Sequence, residues 1–258
     1  MTFSFALMHA GMIGGITPND PAQWPSWLSP LYQDEAAHLG PIVADMQAAE
    51  QSGQAEGLRG LLDAMTPRLH VSFIDTGLPL TKLVQHLRQF AFFNMEDGNY
   101  YALSLADCRV LPELARIFTP LQWGALTHPF SRWQIHLRHG ELAVLPSQSA
   151  DQTAATTPLT LSNAQIDALV DAAEADHLIG NLTQATSNAL PGNAADHYRW
   201  AQAAISAWQR AGQADRTVLA ALTAAMFRTR GKLFERIESG SLLAGSDGEA
   251  ICQALGNT

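Results

Sequence analysis

The sequence predicts an α+β protein, with an N-terminal mixed α/β lobe that contains a small sheet and an all-helical C-terminal lobe. From Val71 to Leu114 the apolar pattern switches between strand-like and helix-like periods. Residues 146–158, PSQSADQTAATTP, carry one charge, no aromatic and no large aliphatic residue, which is typical of linkers. The apolar residues that follow recur only at helical spacing. We therefore predict an α/β lobe at 1–145, a linker at 146–158 and a helical lobe at 159–258.

The first lobe is predicted to begin with a buried strand from Phe3 to His9. Residues 18–30 then carry four prolines and two tryptophans, which predicts an irregular loop. The rings of Trp24 and Trp27 either cover the core or form an exposed aromatic patch for a partner. Both alternatives stay open at this point.

Local signals place the elements that follow. Pro79 suits the first turn of a helix. The run Glu96-Asp97-Gly98-Asn99 indicates a tight turn between two strands. Asp107 is predicted to cap a helix, because a carboxylate accepts hydrogen bonds from the free N–H groups of the first turn. The predicted strands include 40–43, 69–74 and 100–105, the predicted helices are 58–65, 79–91, 107–117 and one that starts at Thr119, and a final hairpin is predicted at 133–145.

The second lobe is predicted to consist of helices. Ser162 and Gln165 form a capping box at the start of the first one. Further helices are predicted around 178–190, at 193–210, after a cap at Asp215, and over a short stretch with Gly231, Phe234 and Ile237. The tail from Gly245 is predicted to be loose.

Composition excludes several classes of partner. The chain of 258 residues has a net charge of −9 and no Lys/Arg stripe, which argues against binding to nucleic acid or to anionic membranes. Its apolar start lacks a basic n-region and is too short to span a bilayer, so we expect a soluble protein without membrane insertion. Cys108 and Cys252 form no CxxC, which favours a reducing cytoplasm and two inert thiols.

Motifs for catalysis are missing from the sequence. His136, His139 and Glu141 resemble metal ligands, but they lack the HExxH spacing and a predicted hairpin would scatter them. No G-x-S-x-G elbow and no phosphate-binding loop occurs. We therefore predict a binding protein, with no catalytic residues, no cofactor and no metal.

Several short motifs occur in a characteristic order over residues 3–140. They are Phe5-Ala6-Leu7-Met8, Gly40-Pro41-Ile42-Val43, His86-Leu87-Arg88-Gln89-Phe90, Asp107-Cys108-Arg109-Val110-Leu111, Thr119-Pro120-Leu121-Gln122, and Gly124 with Trp133. In this order the chain resembles the type VI secretion effector adaptor (effector chaperone) family, long catalogued as a domain of unknown function. Cys108 stands where that family usually has Pro, and His9 stands where an acid is common.

The resemblance implies a cytoplasmic, non-enzymatic protein of Gram-negative bacteria, which holds a toxic effector and helps load it onto the secretion spike protein. On this basis we expect partner contacts at Trp24, Trp27 and Arg88. Asp107 and Arg109 are expected to be architectural, and the loss of the cap in Asp107→Ala should cost about 1 kcal/mol. Two alternatives stay open, a small hydrolase or metal-dependent enzyme and a structural subunit of a bacterial assembly.

Overall fold

The chain has the mixed α/β character that the sequence predicts. A computed structural model describes residues 4–13, 20–33, 36–64, 68–147, 158–186, 189–233 and 248–256. The chain divides into two compact units, Met1–Leu169 and Val170–Thr258. Most of the predicted linker, 148–157, lies outside the described residues, so the linker stays a prediction.

The first unit contains a six-stranded sheet in which every neighbouring pair is antiparallel. Its strand order is β2-β3-β1-β4-β7-β8. The strands are β1 (Phe5–His9), β2 (Leu28–Pro30), β3 (Pro41–Asp45), β4 (Val71–Thr76), β7 (Phe130–His136) and β8 (Leu142–Val144). The predicted strands at 3–9, 40–43 and 69–74 and the hairpin at 133–145 are thus confirmed, with small shifts of their ends.

Both faces of this sheet are covered, because alternate residues of a strand point to opposite sides. Phe5 and Leu7 lie in one core and Ala6 and Met8 in the other. The first core receives side chains from α3, α4 and α5, and the second from α1 and α2. These helices are α1 (Met46–Gln51), α2 (Ala55–Ala64), α3 (Leu80–Arg88), α4 (Leu111–Ile117) and α5 (Pro120–Thr127).

A second sheet of three strands has the order β6-β5-β9. Its strands are β5 (Phe92–Met95), β6 (Tyr100–Ala102) and β9 (Thr160–Leu161). The β5–β6 hairpin is the one that the turn signal predicts. By contrast, β9 pairs parallel to β5 and was not predicted, because two residues carry no periodic signal.

One strand corrects the prediction of an irregular loop at 18–30. Residues Leu28–Pro30 form β2 and pair with β3. No local signal indicates this strand, because Pro30 argues against a central strand. Pro30 is accommodated here because β2 lies at the edge of the sheet.

The second unit is helical among its described residues, and two of the helices begin directly after the predicted caps Ser162 and Asp215. The helices are α6 (Asn163–Ala185), within which the boundary between the units falls, α7 (Ala194–Arg210), α8 (Arg216–Arg228) and α9 (Gly248–Gly256). Asn193 caps α7, and Asp215 caps α8 by accepting from Thr217 N–H at 2.8 Å. The single helix α6 replaces two predicted helices over 162–190.

The prediction of a loose tail is wrong for α9. Ile251 and Leu255, four residues apart, lie on one side of this helix and are buried in the core of the helical unit. The predicted short helix around Phe234 and Ile237 lies outside the described residues. No helix in the described part of the chain is long and apolar enough to cross a membrane.

Two glycines of the helical unit lie against the ring of Trp200. A Cβ atom on Gly231 would come within 2.3 Å of Trp200 Nε1, and one on Gly192 within 2.8 Å of Trp200 Cη2. Gly231 also has a φ of +82° and closes the end of α8 by donating from its N–H to Met226 C=O at 2.8 Å. Only glycine adopts this backbone without strain.

Candidate functional site

The adjacent ends of three inner strands of the six-stranded sheet form the floor of a cleft. His9 ends β1, Pro41 begins β3 and His70 precedes β4, and the antiparallel order brings these ends together. Two backbone hydrogen bonds continue the sheet into the loops, from His9 N–H to His70 C=O at 3.3 Å and from Ala10 N–H to Gly40 C=O at 3.0 Å. The floor is therefore a direct extension of the sheet.

The segment that follows β6 forms one wall of the cleft. Cys108 attaches this segment to the sheet, because its N–H donates to Leu69 C=O at 2.8 Å and its thiol donates to Val71 C=O at 3.1 Å. The side chain is buried, and this burial raises the pKa of the Cys108 thiol to about 11. The thiol thus stays protonated at neutral pH and acts as a hydrogen-bond donor.

The stability of the fold should therefore respond to the ionisation of Cys108. Above the ordinary thiol pKa of 9.0 the unfolded chain loses this proton while the folded chain keeps it, so rising pH favours unfolding. We expect wild type to lose about 1 kcal/mol of unfolding free energy between pH 8 and pH 10, relative to Cys108→Ser. Urea unfolding at both values of pH measures the difference, and parallel pH profiles for the two proteins would contradict the buried thiol.

Asp107 and Arg109 form an ion pair within this segment, and Asp107 lines the cleft. Asp107 Oδ1 accepts from Arg109 N–H at 2.8 Å and from Arg109 Nε at 2.9 Å, while Oδ2 accepts from Arg109 Nη2 at 2.7 Å. The prediction that Asp107 caps the helix is wrong, because α4 begins at Leu111 with Val110 as its N-cap. The carboxylate instead accepts from the backbone N–H two residues later and so closes a turn, as Asp commonly does. These bonds all lie within residues 107–109, which is compatible with the architectural role expected for the pair.

Replacement of Asp107 by Ala should cost about 1 kcal/mol, through the lost turn bond and a partly exposed ion pair. Asp107→Asn keeps an acceptor for Arg109 N–H and should cost less. Urea unfolding of the two variants measures both effects. A normally stable Asp107→Ala variant that no longer binds a partner would contradict the architectural role.

The cleft bounded by this floor and this wall has a volume of about 260 Å³. This lies just below the range of small-molecule pockets, about 300–1,000 Å³, and is large enough for a single bulky side chain. Its lining residues are His9, Tyr32, Leu39, Gly40, Pro41, His70, Ser104, Ala106 and Asp107. Four of these nine residues, Leu39, Gly40, Pro41 and Ala106, have no polar side-chain atom, and the other five each offer a polar group.

His70 and His9 both line the cleft. Burial lowers the pKa of His70, and the Arg109 guanidinium adds to this effect, while the Asp107 carboxylate opposes it. His9 Nδ1 accepts from Gly11 N–H at 3.2 Å, so a neutral His9 carries its proton on Nε2 and offers that donor.

A row of three aromatic rings runs from the cleft to the edge of the small sheet. Tyr32 and Phe92 have ring centroids 4.8 Å apart, and Phe92 and Tyr100 stack at 4.9 Å. We call Tyr32, Phe92 and Tyr100 the aromatic row. Tyr32 lies directly over Gly40, since a Cβ there would be 2.3 Å from its ring, and Tyr100 is 61% exposed. The row therefore joins the cleft to an exposed aromatic surface.

Ser104, His70 and Asp107 are residue types of hydrolytic triads, but their hydrogen bonds differ from those of a triad. Both Asp107 oxygens bind Arg109, and no hydrogen bond joins Ser104 to an imidazole in the described part of the chain. A nucleophile of this kind needs a base within hydrogen-bond reach, which is itself oriented by a third group. The hydrogen bonds of these three residues are therefore not those of a catalytic triad.

The structure places the three predicted partner contacts outside the lining of the cleft. Trp27 is buried, and its indole donates to Gln54 Oε1 at 2.6 Å, while Trp24 is half-buried against the same core. Arg88 donates to the backbone carbonyls of Pro30 and Leu31 at 3.0 and 3.1 Å. Direct contact of these side chains with a partner stays a prediction.

The residues that resembled metal ligands are not brought together. His136 is buried on β7, whereas His139 is exposed and pairs with Glu141 at 3.0 Å. Among the residues that the structure describes, no three His, Cys, Asp or Glu side chains are grouped so that they could hold a metal ion.

Sequence reasoning missed Tyr32, Leu39, His70 and Ser104 as parts of the site. These residues come from three separate segments, and none of them belongs to a recognisable motif. Gly40 and His9 did stand out, as a motif residue and as a departure from the family pattern. The contact between Gly40 and Tyr32, which brings Tyr32 into the cleft, could not be inferred from the sequence.

Comparison with known proteins gives one match. A family model described as a domain of unknown function, DUF4123, matches residues 18–125. This range contains most of the cleft and the whole aromatic row. No curated protein and no solved structure matches the chain.

Proposed function

We propose that this chain is a non-enzymatic adaptor of type VI secretion, which binds an effector protein in the cytoplasm and helps load it onto the spike protein. The observation that carries the proposal is the aromatic row, which leads from the exposed ring of Tyr100 into the cleft. Interface centres combine exposed aromatic rings with a pocket for an anchor residue. In this reading the α/β lobe and the helical lobe offer two binding surfaces, one for each partner.

The family resemblance supports the same function. Its motifs from Gly40 to Gln122 fall within the matched range of 18–125. They also build the site, because Gly40 underlies Tyr32, and Asp107, which is paired with Arg109, lines the cleft. A motif set that shapes a cleft in this way suits a binding protein.

The proposal is tested by affinity purification of the tagged chain from its native bacterium while that secretion system is active. We expect stoichiometric recovery of an effector or of the spike protein, identified by mass spectrometry. Tyr100→Ala should reduce recovery at least tenfold, about 1.4 kcal/mol, because it removes the exposed end of the aromatic row. The matched control is Leu121→Ala. Leu121 is also exposed but lies on α5, so this variant should bind normally.

A chain that purifies without either protein from such cells would contradict the adaptor function. Equal loss in Tyr100→Ala and Leu121→Ala would contradict the placement of the binding surface on the aromatic row.

A further inference from the structure

The outer edge of β6 carries unpaired backbone groups. Met95 N–H bonds Asn99 C=O and Leu103 N–H bonds Ala91 C=O, both at 2.8 Å, so Phe93 and Tyr101 form the hydrogen-bonded pair between them. By the alternation of an antiparallel ladder, the N–H and C=O of Tyr100 and Ala102 point away from β5. Within the described ranges no residue bonds these outward groups.

Two other sheet edges of this unit, on β2 and β9, are closed by specific contacts. On β2, Pro30 has no N–H, and its carbonyl oxygen accepts from Arg88 Nη2 at 3.0 Å. On β9, the carbonyl oxygen of Thr160 accepts from Gln122 Nε2 at 2.9 Å. Natural proteins block edges in such ways because an open edge is a template for another strand. The contrast identifies β6 as an edge that is left accessible.

The surroundings of β6 are acidic. Glu96 and Asp97 lie in the exposed turn before the strand, and among the described residues their carboxylates accept from the amide groups of Asn163 and Asn99 and from no cation. No Lys, Arg or His occurs from Gln89 to Cys108. The chain as a whole carries a net charge of −9. An incoming strand that is basic would therefore be attracted, and an acidic one repelled.

We propose that an extended, basic segment of the partner protein adds to the small sheet along β6. Its backbone pairs with the outward groups of Tyr100 and Ala102, which supplies affinity that does not depend on the side chains. Its alternate side chains lie on the aromatic row, where a Lys or Arg stacks on the exposed ring of Tyr100. This inference rests on the proposed adaptor function, and it names the form that the bound partner segment takes.

A second open edge provides an internal comparison. On β8, the bonds from Leu145 N–H to Trp133 C=O and from Leu137 N–H to Glu141 C=O leave the groups of Leu142 and Val144 pointing outward. Both side chains are also exposed. This edge is remote from the cleft lining and lacks the aromatic row, so we expect the partner at β6 only.

The test removes one outward donor without disturbing the hairpin. Ala102→Pro deletes the outward N–H of Ala102, and proline is tolerated on an edge strand when that N–H faces solvent. Ala102→Val keeps the donor and is the matched control, and Val144→Pro makes the same change on β8. We expect Ala102→Pro to weaken binding of the effector or spike protein at least tenfold, and the other two variants to change it less than twofold. Circular dichroism checks that each variant is folded.

A peptide probe makes the test independent of the partner. Blocked (Lys-Val)₃, titrated into the ¹⁵N-labelled chain, should shift the amide resonances of Tyr100 to Leu103 in wild type but not in Ala102→Pro, and blocked (Glu-Val)₃ should not shift them. Unchanged partner and peptide binding in Ala102→Pro, or weakening by Val144→Pro instead, would overturn the proposal. If affinity purification yields no effector or spike, the adaptor function fails, while the peptide result still decides whether β6 accepts a basic strand.

Discussion

Gly231→Ala is expected to lower the unfolding free energy of the helical unit by about 2–5 kcal/mol. Two effects add. A non-glycine residue at the φ of +82° is strained by about 1–2 kcal/mol. The new methyl group would also lie 2.3 Å from Trp200 Nε1, so the buried indole must move, and such overpacking costs about 1–3 kcal/mol.

Gly212→Ala separates the two effects. Gly212 has a φ of +66°, but no atom lies within 4 Å of the position of its Cβ, so only the backbone strain applies. Urea unfolding followed by circular dichroism should therefore show a clearly smaller loss for Gly212→Ala. Equal losses for the two variants would mean that Trp200 does not lie against Gly231.

Gly40→Ala is expected to cost about 3 kcal/mol and to abolish the cleft. Three ring atoms of Tyr32 lie within 2.7 Å of the position of the new Cβ, so the whole ring must leave rather than one flexible end. The displaced ring breaks its contact with Phe92 and interrupts the aromatic row. Partner binding should fall together with stability.

A double-mutant cycle tests this contact directly. In a Tyr32→Ala background the space above Gly40 is vacant, so Gly40→Ala should then cost less than about 0.5 kcal/mol. Gly77→Ala, where no atom lies within 4 Å of the new Cβ, is the neutral control. A cost of Gly40→Ala that is the same with and without Tyr32 would show that the two residues do not touch.

Local signals were sufficient for many elements of the fold. The cap Asp215, the capping box of Ser162 and Gln165, and the turn at Gly98 each act over a few residues, and the structure has helices or strands where they predict them. Asp107 shows the limit of such signals. An Asp before a helix can cap it or close a turn onto a neighbouring Arg, and sequence spacing did not distinguish these outcomes.

The elements and site residues that sequence reasoning missed depend on partners distant in the chain. The strand β2 exists because β3 lies beside it, and β9 exists because β5 does. Tyr32 enters the cleft because Gly40, eight positions later, leaves room for its ring. Contacts of this kind are set by packing, which a local pattern does not encode.

The open edge of β6 also bears on how the free chain behaves. Open edges of two copies of a chain can pair with each other. Here each copy carries Glu96 and Asp97 before β6 and a net charge of −9, so charge repulsion opposes that pairing. Because salt screens this repulsion, unloaded chains should remain monomeric at low ionic strength and self-associate more readily as the salt concentration rises.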